Sequence, residues 1–138
     1  MEKKLGKTHY KDYLGLEKLL SSQTPYSIKE GKQCHDEMLF IITHQVYELW
    51  FKQILHELYL IRNSFKGKYV SEQETFKIVS ALERVEKIQS ILINQLDILE
   101  TMTPMDFLEF REYLVPASGF QSDQFREIEI LLGLKLTN

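Results

Sequence analysis

Apolar residues recur at three-and-four spacing over two long stretches of the chain. Leu39, Ile42, Val46, Leu49, Trp50, Ile54, Leu58 and Ile61 fall on one side of a helix, the period expected of a helix buried along one stripe. Asp36 and Glu37 stand at its start, where the positive end of the helix dipole favours acidic side chains. Lys66-Gly67-Lys68 closes it, so the spacing predicts a helix from about Asp36 to Ser64. The next segment opens with Ser71-Glu72-Gln73-Glu74, which reads as a capping box. Phe76, Val79, Leu82, Val85, Ile88, Leu92, Gln95 and Leu99 follow on one stripe. Two long amphipathic helices joined by a short link predict an antiparallel hairpin.

Shorter helices flank this hairpin. One is predicted from Tyr10 to Ser21. Another starts at Thr103-Pro104, with Thr103 as cap, Pro104 pre-set for the first helical position and Asp106 supporting the dipole; it ends before Pro116. After the loop Pro116-Ala117-Ser118-Gly119-Phe120-Gln121-Ser122, a last helix capped by Ser122 or Asp123 runs to Gly133. No strand pattern of any length occurs, so the expected class is all-α, as a single domain over residues 1–138.

Composition narrows the function. Apolar residues make up 43% and charged residues 27% of the 138, as in ordinary globular proteins and unlike disordered chains. With 17 basic and 20 acidic residues the net charge is −3, which leaves no basic excess to neutralise phosphates and argues against a nucleic-acid partner. Met1 to Gly6 has no apolar run behind its charges, so a secretory signal is not expected. The most apolar stretch, from Met38, carries His44, Gln45, Glu48, Lys52, Gln53, His56 and Glu57, too polar a load for a membrane span. Cys34 is the lone cysteine and has no internal partner, so a reducing, cytoplasmic location is the expectation.

Several residues invite a chemical reading beside a plainer one. His44 lies two turns into the first long helix and is either a satisfied core histidine or a pocket residue facing a ligand. His56-Glu57 begins like a zinc-protease motif, but Leu60 stands where the second histidine belongs. Glu48 and Glu57 are expected to be solvated or paired on a helix face. Arg111, flanked by Phe107, Phe110 and Leu114, either pairs with a nearby glutamate or presents its planar fork to a carboxylate. An amino-acid substrate offers such a group. Ser118 supplies a small donor and Gly119 permits close approach of a flat ligand. Tyr10, Tyr13 and Leu14 either pack on their own domain or reach a second subunit.

Read in order, these segments carry more than each does alone. His35-Asp36-Glu37-Met38-Leu39-Phe40-Ile41-Ile42-Thr43-His44-Gln45 runs into Glu48-Leu49-Trp50-Phe51-Lys52, followed by Leu99-Glu100-Thr101-Met102-Thr103-Pro104, Phe110-Arg111 and Pro116-Ala117-Ser118-Gly119-Phe120-Gln121-Ser122. This order and spacing resembles the N-terminal half of the tryptophan 2,3-dioxygenases, over roughly Tyr10 to Leu134.

The resemblance implies an all-α homotetramer with b-type haem in each subunit. It implies insertion of both atoms of O₂ across the indole C2–C3 bond of L-tryptophan, giving N-formyl-L-kynurenine, the first step of tryptophan breakdown to kynurenine. By the same resemblance His44 is the distal histidine near the indole N–H, Arg111 binds the substrate carboxylate and Phe40 walls the indole pocket. Ser118 and Gly119 form the loop over the distal haem face, and Tyr10, Tyr13 and Leu14 complete a neighbouring subunit's site. The family's axial iron ligand and its ammonium-binding residues lie in the C-terminal half. The chain is therefore expected to carry the distal pocket and no iron ligand; His9, His35 and His56 do not match that ligand's position. The other expectation is a non-catalytic helical module that self-associates or pairs with a complementary C-terminal half.

Overall fold

A computed structural model describes residues 8–134; the N-terminal segment read above as lacking a secretory signal lies outside them. All the regular structure among the described residues is helical. The helices are α1 (Tyr10–Tyr13), α2 (Leu16–Leu20), α3 (Tyr26–Lys29), α4 (His35–Ser64), α5 (Glu72–Asn94), α6 (Leu96–Leu99), α7 (Pro104–Leu114) and α8 (Asp123–Leu131), with a single 3₁₀ turn at Gly119–Gln121.

The hairpin of α4 and α5 is the frame, and α8 lies along it. Ile54, Leu55 and Leu58 of α4 meet Val85 and Ile88 of α5 and Ile128 of α8 in one buried cluster, bordered by Trp50, Phe51 and Leu92. A smaller centre forms where the start of α4 meets α3 and α7. Phe110 is wholly buried there, and the Cys34 thiol lies 3.5 Å from the Glu109 carbonyl. The buried Glu37 carboxylate accepts the Tyr26 N–H at 2.7 Å and the Ser27 N–H at 3.0 Å, tying α3 to α4. Two orphan donors of a one-turn helix are thereby satisfied without water.

The capping reading is realised in detail. Ser71 Oγ accepts the Glu74 N–H at 3.2 Å while Glu74 Oε2 accepts the Ser71 N–H at 2.8 Å. Thr103 and Asp106 repeat this arrangement at α7, with Pro104 in its first turn. In both cases hydrogen bonding holds the carboxyl below its usual range: the Ser71 N–H and hydroxyl act on Glu74, and the Thr103 hydroxyl and N–H on Asp106.

Four details depart from the sequence expectation. The helix predicted over Tyr10 to Ser21 is split into α1 and α2, because Gly15 takes a left-handed conformation with φ of 61°. The turn α3 was not foreseen. The second long helix ends at Asn94, before Leu99. There the Tyr47 hydroxyl donates to the Leu92 carbonyl at 2.7 Å, the acceptor that the Leu96 N–H would use in an unbroken helix. The buried stripe of α5 also starts in a different register. Ile78 and Ala81 are buried, while Phe76, Val79 and Leu82 are exposed. Apolar residues occupy two adjacent rows of α5, and the hairpin packs only one of them along its first half.

On α4, Ile54 and Leu58 are buried as expected, whereas Ile42 and Leu49 remain exposed. Glu57 is paired, and it is buried rather than solvated: Arg84 Nη1 lies 2.8 Å from Oε1, and Gln53 Nε2 donates to the same oxygen at 2.7 Å. Among the described residues no helix is long and apolar enough to cross a membrane.

Candidate functional site

His44 faces outward from the middle of α4, and its ring is oriented by its own helix. Nδ1 lies 2.7 Å from the Phe40 carbonyl oxygen. A carbonyl only accepts, so Nδ1 carries the hydrogen and Nε2 of the neutral ring holds a free lone pair. Nε2 has no hydrogen-bond partner among the described residues, and it occupies the ring edge away from the helix backbone. The Phe40 ring lies against the imidazole, with centroids 4.1 Å apart.

Phe40 in turn is wedged against α7. Its ring sits 5.8 Å from Phe107 and 5.6 Å from Phe110, and those two meet edge-to-face at 5.5 Å, a favoured aromatic geometry. The orientation of His44 is therefore linked through Phe40 to a buried aromatic cluster.

Three open cavities adjoin His44; one, about 340 Å³, lies between Leu19, Ser22, Gln45 and Gln124, and the other two flank the Ser118-Gly119 pair. The first of these two, about 390 Å³, is walled by Tyr47, Phe51, Leu96, Leu99 and Phe125, with Ser118, Gly119 and Phe120 on its far side and Glu48 and Arg126 at polar positions. The second, about 330 Å³, lies between Phe40, Ile41, Leu114, Ala117 and the same Ser118-Gly119 pair. Burial pushes the Tyr47 hydroxyl above its ordinary pKa, so this group remains a neutral donor to Leu92 at physiological pH.

The Ser118–Gln121 turn caps itself. Ser118 Oγ accepts the Phe120 N–H at 3.3 Å, and Gln121 Oε1 accepts the Ser118 N–H at 3.0 Å. The Ser118 hydroxyl can still donate its hydrogen outward. A Cβ added at Gly119 would meet nothing within 4 Å, so the fold itself does not require glycine here, and the space above it is open to a ligand.

His44, Phe40, Ser118 and Gly119 thus converge on adjoining cavities. Arg111 does not line any of them. It is exposed on α7, with its guanidinium carbon 5.9 Å from the Phe107 ring centre, and among the described residues it forms no ion pair. The glutamate pairing weighed for it is absent there, and its fork is free. Tyr10, Tyr13 and Leu14 are 75%, 80% and 44% exposed on α1 and the residue after it, and none of them lines the His44 cavities. Tyr47, Phe51, Leu96 and Phe125 were missed as lining residues. Tyr47 and Phe51 stand three and seven positions after His44, so helical spacing alone could have placed them on its face. Among the described residues no three histidine, cysteine or carboxylate side chains come together as a metal site.

The described residues thus form an all-α scaffold with an imidazole set over open, largely apolar cavities. The sequence model of tryptophan 2,3-dioxygenase matches residues 1–138, and the chain belongs to the tryptophan 2,3-dioxygenase family. A relative of that name from Alteromonas mediterranea is 53% identical over 98% of this chain and 37% of its own length. One from Bdellovibrio bacteriovorus is 56% identical over 93% of this chain and 36% of its own length. One from Anopheles gambiae is 53% identical over 91% of this chain and 32% of its own length. The chain spans about a third of the length of these curated relatives.

Proposed function

We propose that residues 1–138 act as one all-α domain, the substrate-facing part of a cytoplasmic haem dioxygenase that converts L-tryptophan and O₂ to N-formyl-L-kynurenine. The observation that carries this reading is the fixed tautomer of His44. An acceptor nitrogen at Nε2 is the group that an indole N–H needs, and Phe40 beside it offers an aromatic wall.

The residues present fit a haem approached from the substrate side. Phe51, Leu96 and Phe125 supply an apolar face, and the space over Gly119 leaves room for a flat macrocycle. Haem, when bound, supplies the oxygen chemistry, which amino-acid side chains do not provide. In this reading its axial ligand comes from the part of the family sequence that the chain does not span.

The chain's own residues bind and orient. His44 Nε2 accepts the indole N–H and sets the ring's rotation. Indole is a very weak acid beside imidazole, so the role is orientation rather than ground-state deprotonation. Phe40 limits the tilt of the indole. Arg111, which forms no ion pair among the described residues, closes on the substrate carboxylate with two parallel hydrogen bonds. The Ser118–Gly119 turn covers the pocket and excludes water. The exposed Tyr10, Tyr13 and Leu14 project toward the site of a neighbouring copy, consistent with the tetramer that the resemblance implies.

The test uses the complete polypeptide. It should form the ring-opened product from L-tryptophan, and Arg111→Lys, which keeps the charge but loses the fork, should weaken substrate binding by up to about 2 kcal/mol, or ~30-fold in KM. Unchanged affinity and turnover would remove Arg111 from the carboxylate site.

A second reading rests on a separate observation. Ile42, Leu49, Phe76 and Leu82 leave apolar helix faces exposed. These faces also suit a non-catalytic module that pairs with a complementary C-terminal half or with itself.

A further inference from the structure

The first turn of α8 meets α4 beside the His44 cavity through Phe125, whose ring lies 5.4 Å from that of Phe51, and through the polar side chain of Gln124. Gln124 Nε2 donates to the Glu48 backbone carbonyl at 2.9 Å and to Glu48 Oε2 at 2.7 Å. Both partners only accept, so the amide nitrogen faces α4 and the amide oxygen faces away. Glu48 follows His44 by one helical turn, which puts this clamp on the same face of α4 as the imidazole, about 6 Å further along the axis.

The clamp sits where the covering turn re-enters regular structure. Gln124 is in the first turn of α8, directly after the Gly119–Gln121 turn and the capping residue Ser122. The turn has little packing of its own: Phe120 is 83% exposed, and the hydrogen bonds of Ser118 run within the turn. The rest of α8 does not depend on Gln124, because Ile128 is buried against the hairpin core.

We propose that Gln124 is a positioning residue: by clamping Glu48 it fixes the Ser118–Gln121 turn above His44, so that the pocket is shaped before its ligand arrives. This rests on the reading of that pocket as the substrate site. Removing the clamp frees the first turn of α8 and the covering turn, while the hydrophobic docking of the helix persists.

In the complete enzyme, Gln124→Met keeps the side chain's length and removes both donated bonds. Amide hydrogen exchange, followed by mass spectrometry on peptides covering residues 115–122, is expected to rise about tenfold, the equivalent of one lost hydrogen bond. Peptides covering residues 127–134 are expected to exchange as in the parent. KM for tryptophan should rise about fivefold, with kcat within about twofold, since a loosened pocket acts first on binding. The double variant Gln124→Glu/Glu48→Gln returns a side-chain bond with its donor on α4 and should recover part of both effects. Unchanged exchange over residues 115–122 overturns the proposal. So does a rise spread evenly through α8, which would make the clamp a docking bond only, and so does a loosened turn with unaltered KM. If the parent enzyme itself turns over no tryptophan, the functional reading fails, and the exchange data still decide whether the clamp orders the turn.

Discussion

Replacing His44 by alanine in the complete protein separates the roles that an imidazole at this position can play. The substitution removes the Nε2 acceptor, a net hydrogen-bond contribution of about 0.5–1.5 kcal/mol, equivalent to about 2- to 13-fold in rate. It also removes the ring stacked at 4.1 Å on Phe40, an aromatic contact of about 0.5–1.5 kcal/mol. Phe40 keeps its contacts with Phe107 and Phe110, so the pocket wall loosens without collapsing. Only the first loss falls on the reacting complex, so kcat/KM should drop about 2- to 13-fold, while the second lowers stability in free and bound enzyme alike. The assay follows product formation at steady state and records the haem absorption spectrum of the same sample. Turnover should fall within that range with haem content unchanged, and His44→Gln, whose amide oxygen accepts a hydrogen bond, should recover part of it. Complete inactivity with haem intact would refute the orienting role in favour of an obligatory proton acceptor. Loss of haem would show that His44 ligates the iron, and the assignment of this face to the substrate side would fall.

Expressed alone, residues 1–138 should bind haem weakly and form no product, because the resemblance places the iron-ligating histidine in the part of the family sequence that the chain does not span; a stable histidine-ligated absorption band with product formation would contradict this. Arg84→Ala leaves the buried Glu57 carboxylate with only Gln53, and since Arg84 is itself about half exposed, the loss should be about 1–3 kcal/mol by urea unfolding rather than the larger penalty of a fully buried pair; a change under ~0.5 kcal/mol would mean that water already solvates Glu57. The caps at Glu74 and Asp106 should confer a pH dependence. Each carboxyl is held below its usual range by Ser71 or Thr103, so its contribution is present above the unfolded value near ~4 and disappears as pH falls through the lower folded value. Amide exchange in the first turns of α5 and α7 should therefore accelerate on acidification below that range, and Glu74→Gln should abolish this response at α5 alone.

The parts of the fold that were legible in the sequence are those set by local chemistry. The limits of α4 follow from a sustained helical period and a glycine-containing stop, and the starts of α5 and α7 from side chains that reach only three residues. The parts that were not legible depend on partners far along the chain. The early break in α5 is set by the Tyr47 hydroxyl, which reaches Leu92 across the hairpin. The register of the α5 stripe could not be chosen while both of its rows were apolar, since only the docking of α4 decides between Ile78 and Val79. In the site, resemblance drew attention to His44, Phe40, Ser118 and Gly119, yet the clamp between Gln124 and Glu48 joins residues 76 positions apart, and no spacing rule connects them. Nor does a sequence show that Arg111 forms no ion pair among the described residues, since Glu109 and Glu112 stand beside it.

The bond from His44 Nδ1 to the Phe40 carbonyl also governs where a proton can travel. A histidine that relays protons takes one up at one ring nitrogen and releases another from the opposite nitrogen to a basic group or to solvent. Here the opposite nitrogen is closed off by a helix carbonyl, which does not accept protons at physiological pH and has no onward path. A proton reaching Nε2 can leave only by the way it came. This imidazole is therefore a cul-de-sac on its Nδ1 side: it can lend the Nε2 lone pair and take it back, but it passes no proton across the ring into the helix. Any hydrogen taken up at Nε2 leaves again from Nε2, toward the open cavities beside it.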